Sequence, residues 1–170
     1  MTVGEAIRAA ADRLAGTTDT ARLDAELLMA HLLGVTRSDL LLRHMRDPAP
    51  PGFAALVERR AGHEPVAYIT GTAEFYGRSF AVQPGVLIPR SDSETLIEAA
   101  LAASPDPRRV VDLGVGSGAL LLTMLAERPG ARGVGIDASA AAIDVTGKNA
   151  IALGIANPWE LHLRDWRQAG

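Results

Sequence analysis

The sequence predicts an α/β chain: a small N-terminal helical bundle, a β-hairpin connector, and a parallel sheet interleaved with helices. Three observations predict it. Apolar residues recur at helical spacing through the first sixty residues. Glycine, proline and alternating apolar residues fill the stretch that follows. From Arg109 onward, short apolar runs alternate with helical segments, the order that builds a parallel sheet with crossover helices.

The bundle is read first. Val3, Ile7, Ala10, Ala11 and Leu14 mark a helix over about Thr2 to Ala15. Gly16 to Asp19 break it, and Leu23, Leu27, Met29, Ala30 and Leu33 mark a second, closed by Gly34. Ser38 to His44 suggests a short third helix. Asp47 to Gly52 holds three prolines and must be a loop, and Phe53 to Gly62 reads as a fourth helix. A bundle of this size buries little core by itself.

The texture changes at Glu64-Pro65. Gly77, Pro84 and Gly85 punctuate Phe75, Phe80, Val82, Val86 and Ile88, which reads as a β-hairpin connector. Ser91 with Glu94 three residues later reads as a capping box opening the next helix. Then come a strand at Val110–Leu113, a helix from Gly118 to Glu127 and a strand at Gly133–Asp137. A helix from Ser139 to Leu153 and a strand at Trp159–Leu163 follow. The expected domains are 1–72, helical; 73–90, the connector; and 91–170, the sheet.

Composition narrows the classes. With 48% apolar residues and a net charge of -3, disorder is not expected over most of the chain. The same balance argues against direct nucleic-acid binding, which needs clustered Lys and Arg. The absence of cysteine removes disulfides, thiolate zinc sites and a Cys nucleophile. The four histidines show no ligand spacing, so no metal site is expected. Glu5, Arg8, Asp12 and Arg13 deny the N-terminus an apolar signal core. No run of about 18 apolar residues exists to span a membrane. A cytoplasmic location is expected.

The motif that carries chemistry is Asp112-Leu113-Gly114-Val115-Gly116-Ser117-Gly118, at a strand end and a helix start. Glycines there let backbone approach a ligand, and the helix start offers free N–H groups. Asp137 ends the next strand, where a carboxylate can accept from both hydroxyls of a ribose. A dinucleotide fingerprint would be Gly-x-Gly-x-x-Gly. Here the third glycine comes one residue early, and an acidic residue stands two before the first. That spacing favours S-adenosylmethionine, with its amino-acid end over the glycine loop and its ribose on Asp137. Asp165-Trp166 follows the third strand, where the indole could cover an adenine, although a half-buried core aromatic is the commoner fate of a lone Trp. Ser117 lacks the Gly-x-Ser-x-Gly setting of a hydrolase nucleophile.

Several blocks in order resemble the HemK-type protein-(glutamine-N5) methyltransferases that modify peptide chain release factors. Asp24-Ala25-Glu26-Leu27-Leu28 with His31-Leu32-Leu33-Gly34 is similar to that family's helical domain. Arg60 with Glu64 through Gly71 is similar to its domain junction. Glu74-Phe75-Tyr76-Gly77, Phe80, Val82, Leu87 to Arg90 and Glu94 are similar to its connector. The resemblance implies that the sheet is the first half of a Rossmann-like class I methyltransferase sheet. It implies that Gly114, Val115, Gly116, Ser117 and Gly118 hold the methionine end of S-adenosyl-L-methionine, that Asp137 binds its ribose, and that Asp165 and Trp166 lie near its adenine. It further implies release factors as partners, docked by the helical domain, and an intact enzyme that is a monomer.

Departures are visible too. Ser91-Asp92-Ser93 replaces the middle of the family's Ile-Pro-Arg-Pro-Glu-Thr-Glu run, and Val115 stands where Thr is usual. The family's Asn-Pro-Pro-Tyr segment, which grips the acceptor amide, follows a fourth strand, whereas this sequence ends just after the third. Asn157-Pro158-Trp159 precedes the third strand and does not replace it. Positioning supplies most of the rate gain for so poor a nucleophile as an amide. No catalytic residue is therefore assigned, no glutamine transfer is expected of these residues alone, and the sequence is expected to be a fragment or a shortened product. The rivals are a ribosomal-protein glutamine methyltransferase, a non-catalytic remnant that binds a translation factor, and a nicotinamide-binding domain, the last disfavoured by the glycine spacing.

Overall fold

Thr2 begins the first helix with a reciprocal cap. Its Oγ1 accepts the Glu5 N–H at 3.3 Å, and Glu5 Oε2 accepts the Thr2 N–H at 2.8 Å. In the computed structural model, which describes residues 1–168, helix α1 (Val3–Leu14) buries Val3, Ala6, Ile7, Ala10 and Leu14 on one side. Helix α2 (Ala21–Leu33) meets that face with Ala25, Leu28 and Met29. The helix expected over 38–44 is a single turn, α3 (Arg37–Asp39), capped by Thr36 and continued by a wider π-helical segment, Leu40–His44, of which only Leu40 is buried. Helix α4 (Phe53–Ala61) adds Phe53 and Val57 to the core.

A short helix not expected from the sequence, α5 (Val66–Thr70), follows Pro65. The Pro65 carbonyl accepts the N–H groups of Tyr68 and Ile69, so a further helical turn starts where the sequence changes texture. Two buried carboxylates on α2 are fully engaged. Asp24 accepts from Arg60 Nε at 2.7 Å and Thr20 Oγ1 at 2.9 Å. Glu26 bridges Arg22 at 2.7 Å and Arg37 at 2.8 Å. Burial alone would raise its pKa, but the two guanidiniums outweigh burial and hold it below the ordinary value.

The chain divides into two compact units, Met1–Thr70 and Gly71–Gly170; the last two residues of the sheet domain expected over 91–170 lie outside the described residues. The second unit opens with an antiparallel hairpin of β1 (Thr72–Phe75) and β2 (Arg78–Ala81), with Phe75 opposite Arg78. Both turn residues, Tyr76 at φ +49° and Gly77 at φ +70°, take the left-handed region that a two-residue turn favours. Phe75 and Phe80 stack edge to face at 6.2 Å inside the core.

Helix α6 (Glu94–Ala103) corrects one sequence expectation. No capping box joins Ser91 and Glu94. A 3-10 turn covers Ser91–Ser93, and the helix has no side-chain cap. The Glu94 carboxylate is used elsewhere: its Oε1 accepts the Tyr76 N–H at 2.8 Å and fastens the hairpin turn to α6.

Strands β3 (Arg109–Leu113), β4 (Arg132–Asp137) and β5 (Trp159–Leu163) form a parallel sheet in that order. Helices α7 (Ala119–Glu127) and α8 (Ala140–Ala152) connect them. Gly133 and Gly135 on β4 let α7 approach closely. A Cβ at Gly133 would stand 2.6 Å from a Leu125 methyl, and one at Gly135 would stand 3.2 Å from a Leu121 methyl and 2.8 Å from Leu161. Strands β3 and β5 are the outer members. On β3, Val111 and Leu113 are 50% and 54% exposed. Among the described residues, no helix is long and apolar enough to cross a membrane.

Candidate functional site

The loop from Gly114 to Gly118 leaves β3 and enters α7. Gly114, Gly116 and Gly118 have φ of +84°, +58° and +84°, a path closed to most side chains. Its peptide groups are tied from several sides. The N–H groups of Gly114 and Val115 donate to the Ile136 carbonyl at 2.8 and 3.0 Å, and Gly118 N–H closes a turn onto Val115 O at 2.8 Å. The Gly116 N–H donates to Asp137 Oδ2 at 3.0 Å. Two carbonyls point the other way, into α8: Gly116 O accepts from Thr146 Oγ1 at 2.9 Å and Ser117 O from Asn149 Nδ2 at 2.8 Å.

Asp137 joins the loop to the start of α8. Its Oδ1 accepts the Ser139 N–H at 2.9 Å while Oδ2 holds Gly116. Each oxygen retains lone-pair capacity for a further donor.

A cleft of about 150 Å³ opens on the other side of the loop. The loop contributes Gly114, Val115, Gly116 and Ser117. The hairpin and connector contribute Phe75, Leu87, Ile88, Pro89, Arg90 and Ser93. Strand β3 contributes Asp112, and α7 contributes Ala119 and Leu120. The wall is mainly apolar, with a few polar features. Burial pushes the Asp112 carboxyl up to about 6; the Leu121 N–H opposes this and the charge of Asp137 adds to it. The Arg90 carbonyl accepts the Ser93 N–H at 3.0 Å, while its guanidinium has no hydrogen bond or ion pair among the described residues. The Ser117 N–H likewise has no acceptor there, and the first turn of α7 leaves more N–H groups without intrahelical partners.

The residues singled out in the sequence do not all converge. Gly114, Val115, Gly116 and Ser117 line the cleft. Gly118 lies beneath it, with Leu122 and Thr146 where its Cβ would be. Asp137 braces the loop from behind. Asp165 and Trp166 are not among the cleft residues. Asp165 is occupied by Arg167, with a shortest contact of 2.7 Å, and Trp166, in a short turn, is 52% exposed. Asn157 ties the α7–β4 loop by donating to Arg128 O and Ala131 O at 2.9 and 3.0 Å, a structural task consistent with its place before β5. Sequence reasoning missed Arg90, Thr146 and Asn149. Only Arg90 carried a signal, its position in the connector block. Among the described residues no cluster of His, Asp and Glu could hold a metal ion.

Residues 5–71 match the family model described as PrmC N-terminal domain. Over 98% of its length the chain is 45% identical to the release factor glutamine methyltransferase of Cereibacter sphaeroides, covering 60% of that protein. It is 43% identical to the protein of the same name from Nitratidesulfovibrio vulgaris, over 88% of this chain and 52% of the relative. The Neisseria gonorrhoeae protein of that name is 43% identical over 84% of this chain and 54% of its own. The chain thus spans between half and two thirds of the length of these relatives. Among solved structures, coclaurine N-methyltransferase bound to N-methylheliamine and SAH aligns with 96% of the chain and 50% of its own, at 15% identity and a TM-score of 0.43; so loose a likeness carries no argument.

Proposed function

We infer that this chain is the helical domain and cofactor half of a release factor glutamine methyltransferase, an enzyme that moves a methyl group from S-adenosyl-L-methionine to a glutamine side-chain amide. The observation that carries the reading is the glycine loop braced by Asp137 and lined on its open side by groups of opposite charge. The similarity to proteins named release factor glutamine methyltransferase along nearly the whole chain supplies the substrate: a release factor, with the helical unit as its docking element.

The residues fit the amino-acid end of such a cofactor. A zwitterion presents a carboxylate and an ammonium a few atoms apart. The Ser117 N–H and the Arg90 guanidinium suit the first, and Asp112 suits the second. Whole-ligand sites have volumes of about 300 Å³ or more, so a cleft of about 150 Å³ takes this end of the ligand rather than all of it. The ribose falls to the free lone pairs of Asp137. When bound, the cofactor supplies an activated methyl group. The chain's own residues bind its polar end, fix its direction through the rigid loop, and exclude water from its apolar side with Phe75, Ile88 and Pro89.

The test is calorimetric titration of the 170-residue chain with S-adenosylhomocysteine, with Asp137→Ala as control and a thermal melt of each protein. Binding by the folded chain that is lost in the folded control supports the reading. A folded chain that does not bind overturns it.

A further inference from the structure

Resting on that cofactor reading, we propose that Thr146 is a positioning residue: by holding the Gly116 carbonyl it aims the Ser117 N–H into the cleft, where that N–H recognises the carboxylate of the ligand's amino-acid end.

The argument begins with the peptide plane. No described peptide bond is cis, and in a trans peptide the carbonyl and the following N–H point in opposite directions. Whatever fixes the Gly116 carbonyl therefore fixes the Ser117 N–H in reverse. Thr146 Oγ1 donates to that carbonyl at 2.9 Å from α8, on the side away from the cleft. Ser117 lines the cleft, and its N–H has no acceptor among the described residues.

Apart from this bond, no hydrogen bond among the described residues holds either end of the Gly116–Ser117 peptide. Gly116 at φ +58° has no side chain, and a Cβ built there would meet no atom closer than 4.0 Å. The residue that lets the loop turn also leaves its peptide free to rotate. The neighbouring peptides are fixed independently, Gly116 N–H by Asp137 and Ser117 O by Asn149. The Gly116–Ser117 peptide is the one that depends on Thr146. The threonine is wholly buried, so its hydroxyl has no solvent alternative, and its β-branched side chain has few rotamers to choose from.

The experiment compares two ligands on three full-length chains. S-adenosylhomocysteine carries the amino-acid end, and 5′-methylthioadenosine is a closely related nucleoside without it. Thr146→Val keeps the shape and removes the donor; Thr146→Ser keeps the donor. The expected result is that Thr146→Val weakens S-adenosylhomocysteine about tenfold, as loss of one charge-assisted hydrogen bond would, and leaves methylthioadenosine within about twofold. Thr146→Ser should restore most of the S-adenosylhomocysteine affinity. Equal weakening of both ligands, or of neither, overturns the inference. A wild-type chain that binds neither ligand overturns the cofactor reading and this inference together. Should Thr146→Val fail to fold, the wild-type chain gives the answer by nuclear magnetic resonance. The Ser117 amide proton should shift with S-adenosylhomocysteine and stay in place with methylthioadenosine, and a Ser117 amide that responds to both alike overturns the inference.

Discussion

Asn149 pairs with Ala81 as a neighbouring strand would. Its Oδ1 accepts the Ala81 N–H at 2.7 Å, and its Nδ2 donates to the Ala81 carbonyl at 3.0 Å while also reaching Ser117 O. One carboxamide on α8 thereby satisfies the outer edge of the hairpin and a carbonyl of the glycine loop. It is 2% exposed, so water cannot replace it. Asn149→Ala should cost about 3 kcal/mol in urea denaturation. Proteolysis or hydrogen exchange should show the hairpin opening first. Unchanged protection of Ala81 in the variant would refute the clamp.

Asp112 gives a pH signature of known sign. Its carboxyl rises from 3.8 to about 6 in the folded protein, so the folded state binds this proton more tightly than the unfolded chain does. The resulting stability is fully present below pH 3.8 and is lost as pH rises through about 6. Asp112→Asn, uncharged throughout, should be more stable than wild type at pH 7.5 by about 3 kcal/mol and equal to it near pH 3.5. Chemical denaturation at the two pH values checks this. In ligand titrations the sign reverses. An ammonium needs the ionised carboxylate, so S-adenosylhomocysteine affinity should fall about tenfold between pH 7 and pH 5 in the wild type and stay flat in Asp112→Asn.

Gly118 tolerates no side chain for two reasons at once. Its φ is +84°, and an added Cβ would lie 2.9 Å from both Leu122 Cδ1 and Thr146 Cγ2. Gly118→Ala should destabilise by about 2 kcal/mol. Because Thr146 is one of the atoms pushed, S-adenosylhomocysteine affinity should drop as well. A melting temperature within error of the wild type would contradict the crowding.

In the helical unit, Arg60→Ala would strand Asp24, whose side chain is 8% exposed. Leaving a buried carboxylate without its cation should cost about 3 kcal/mol. The double change Asp24→Leu with Arg60→Met should recover most of it, since apolar replacements remove the desolvation cost along with the attraction. Equal losses in the single and double variants would show that the pair does not act as a unit.

The strands, the crossover helices and the glycine loop were legible because each rests on a local signal: apolar runs for β3 to β5, helical spacing for α7, glycines where φ must be positive. What failed was local pattern overruled by a distant partner. Ser91 and Glu94 have the spacing of a capping box, yet the Glu94 carboxylate is taken by the Tyr76 N–H, eighteen residues back in the chain. Thr146 and Asn149 look like ordinary polar residues of a helix, where exposure is the default. They are buried because their partners, Gly116, Ser117 and Ala81, arrive from other elements. Helical periodicity says which residues share a side. It does not say that a polar pair on that side will be the anchor of a loop thirty residues away.

The two glycines of β4 have a consequence beyond packing. Gly133 and Gly135 face Leu125 and Leu121, so the height of α7 above the sheet is set by methyl groups that are not there. The loop enters that helix, and its N–H groups inherit the helix's position. Lifting α7 by the thickness of one methyl group would shift the end of the loop, and with it the Ser117 N–H, relative to the cleft. Tolerance to mutation at the site should therefore extend inward along β4, and a search for better binders that randomises only ligand-facing residues would leave its two most sensitive distance gauges untouched.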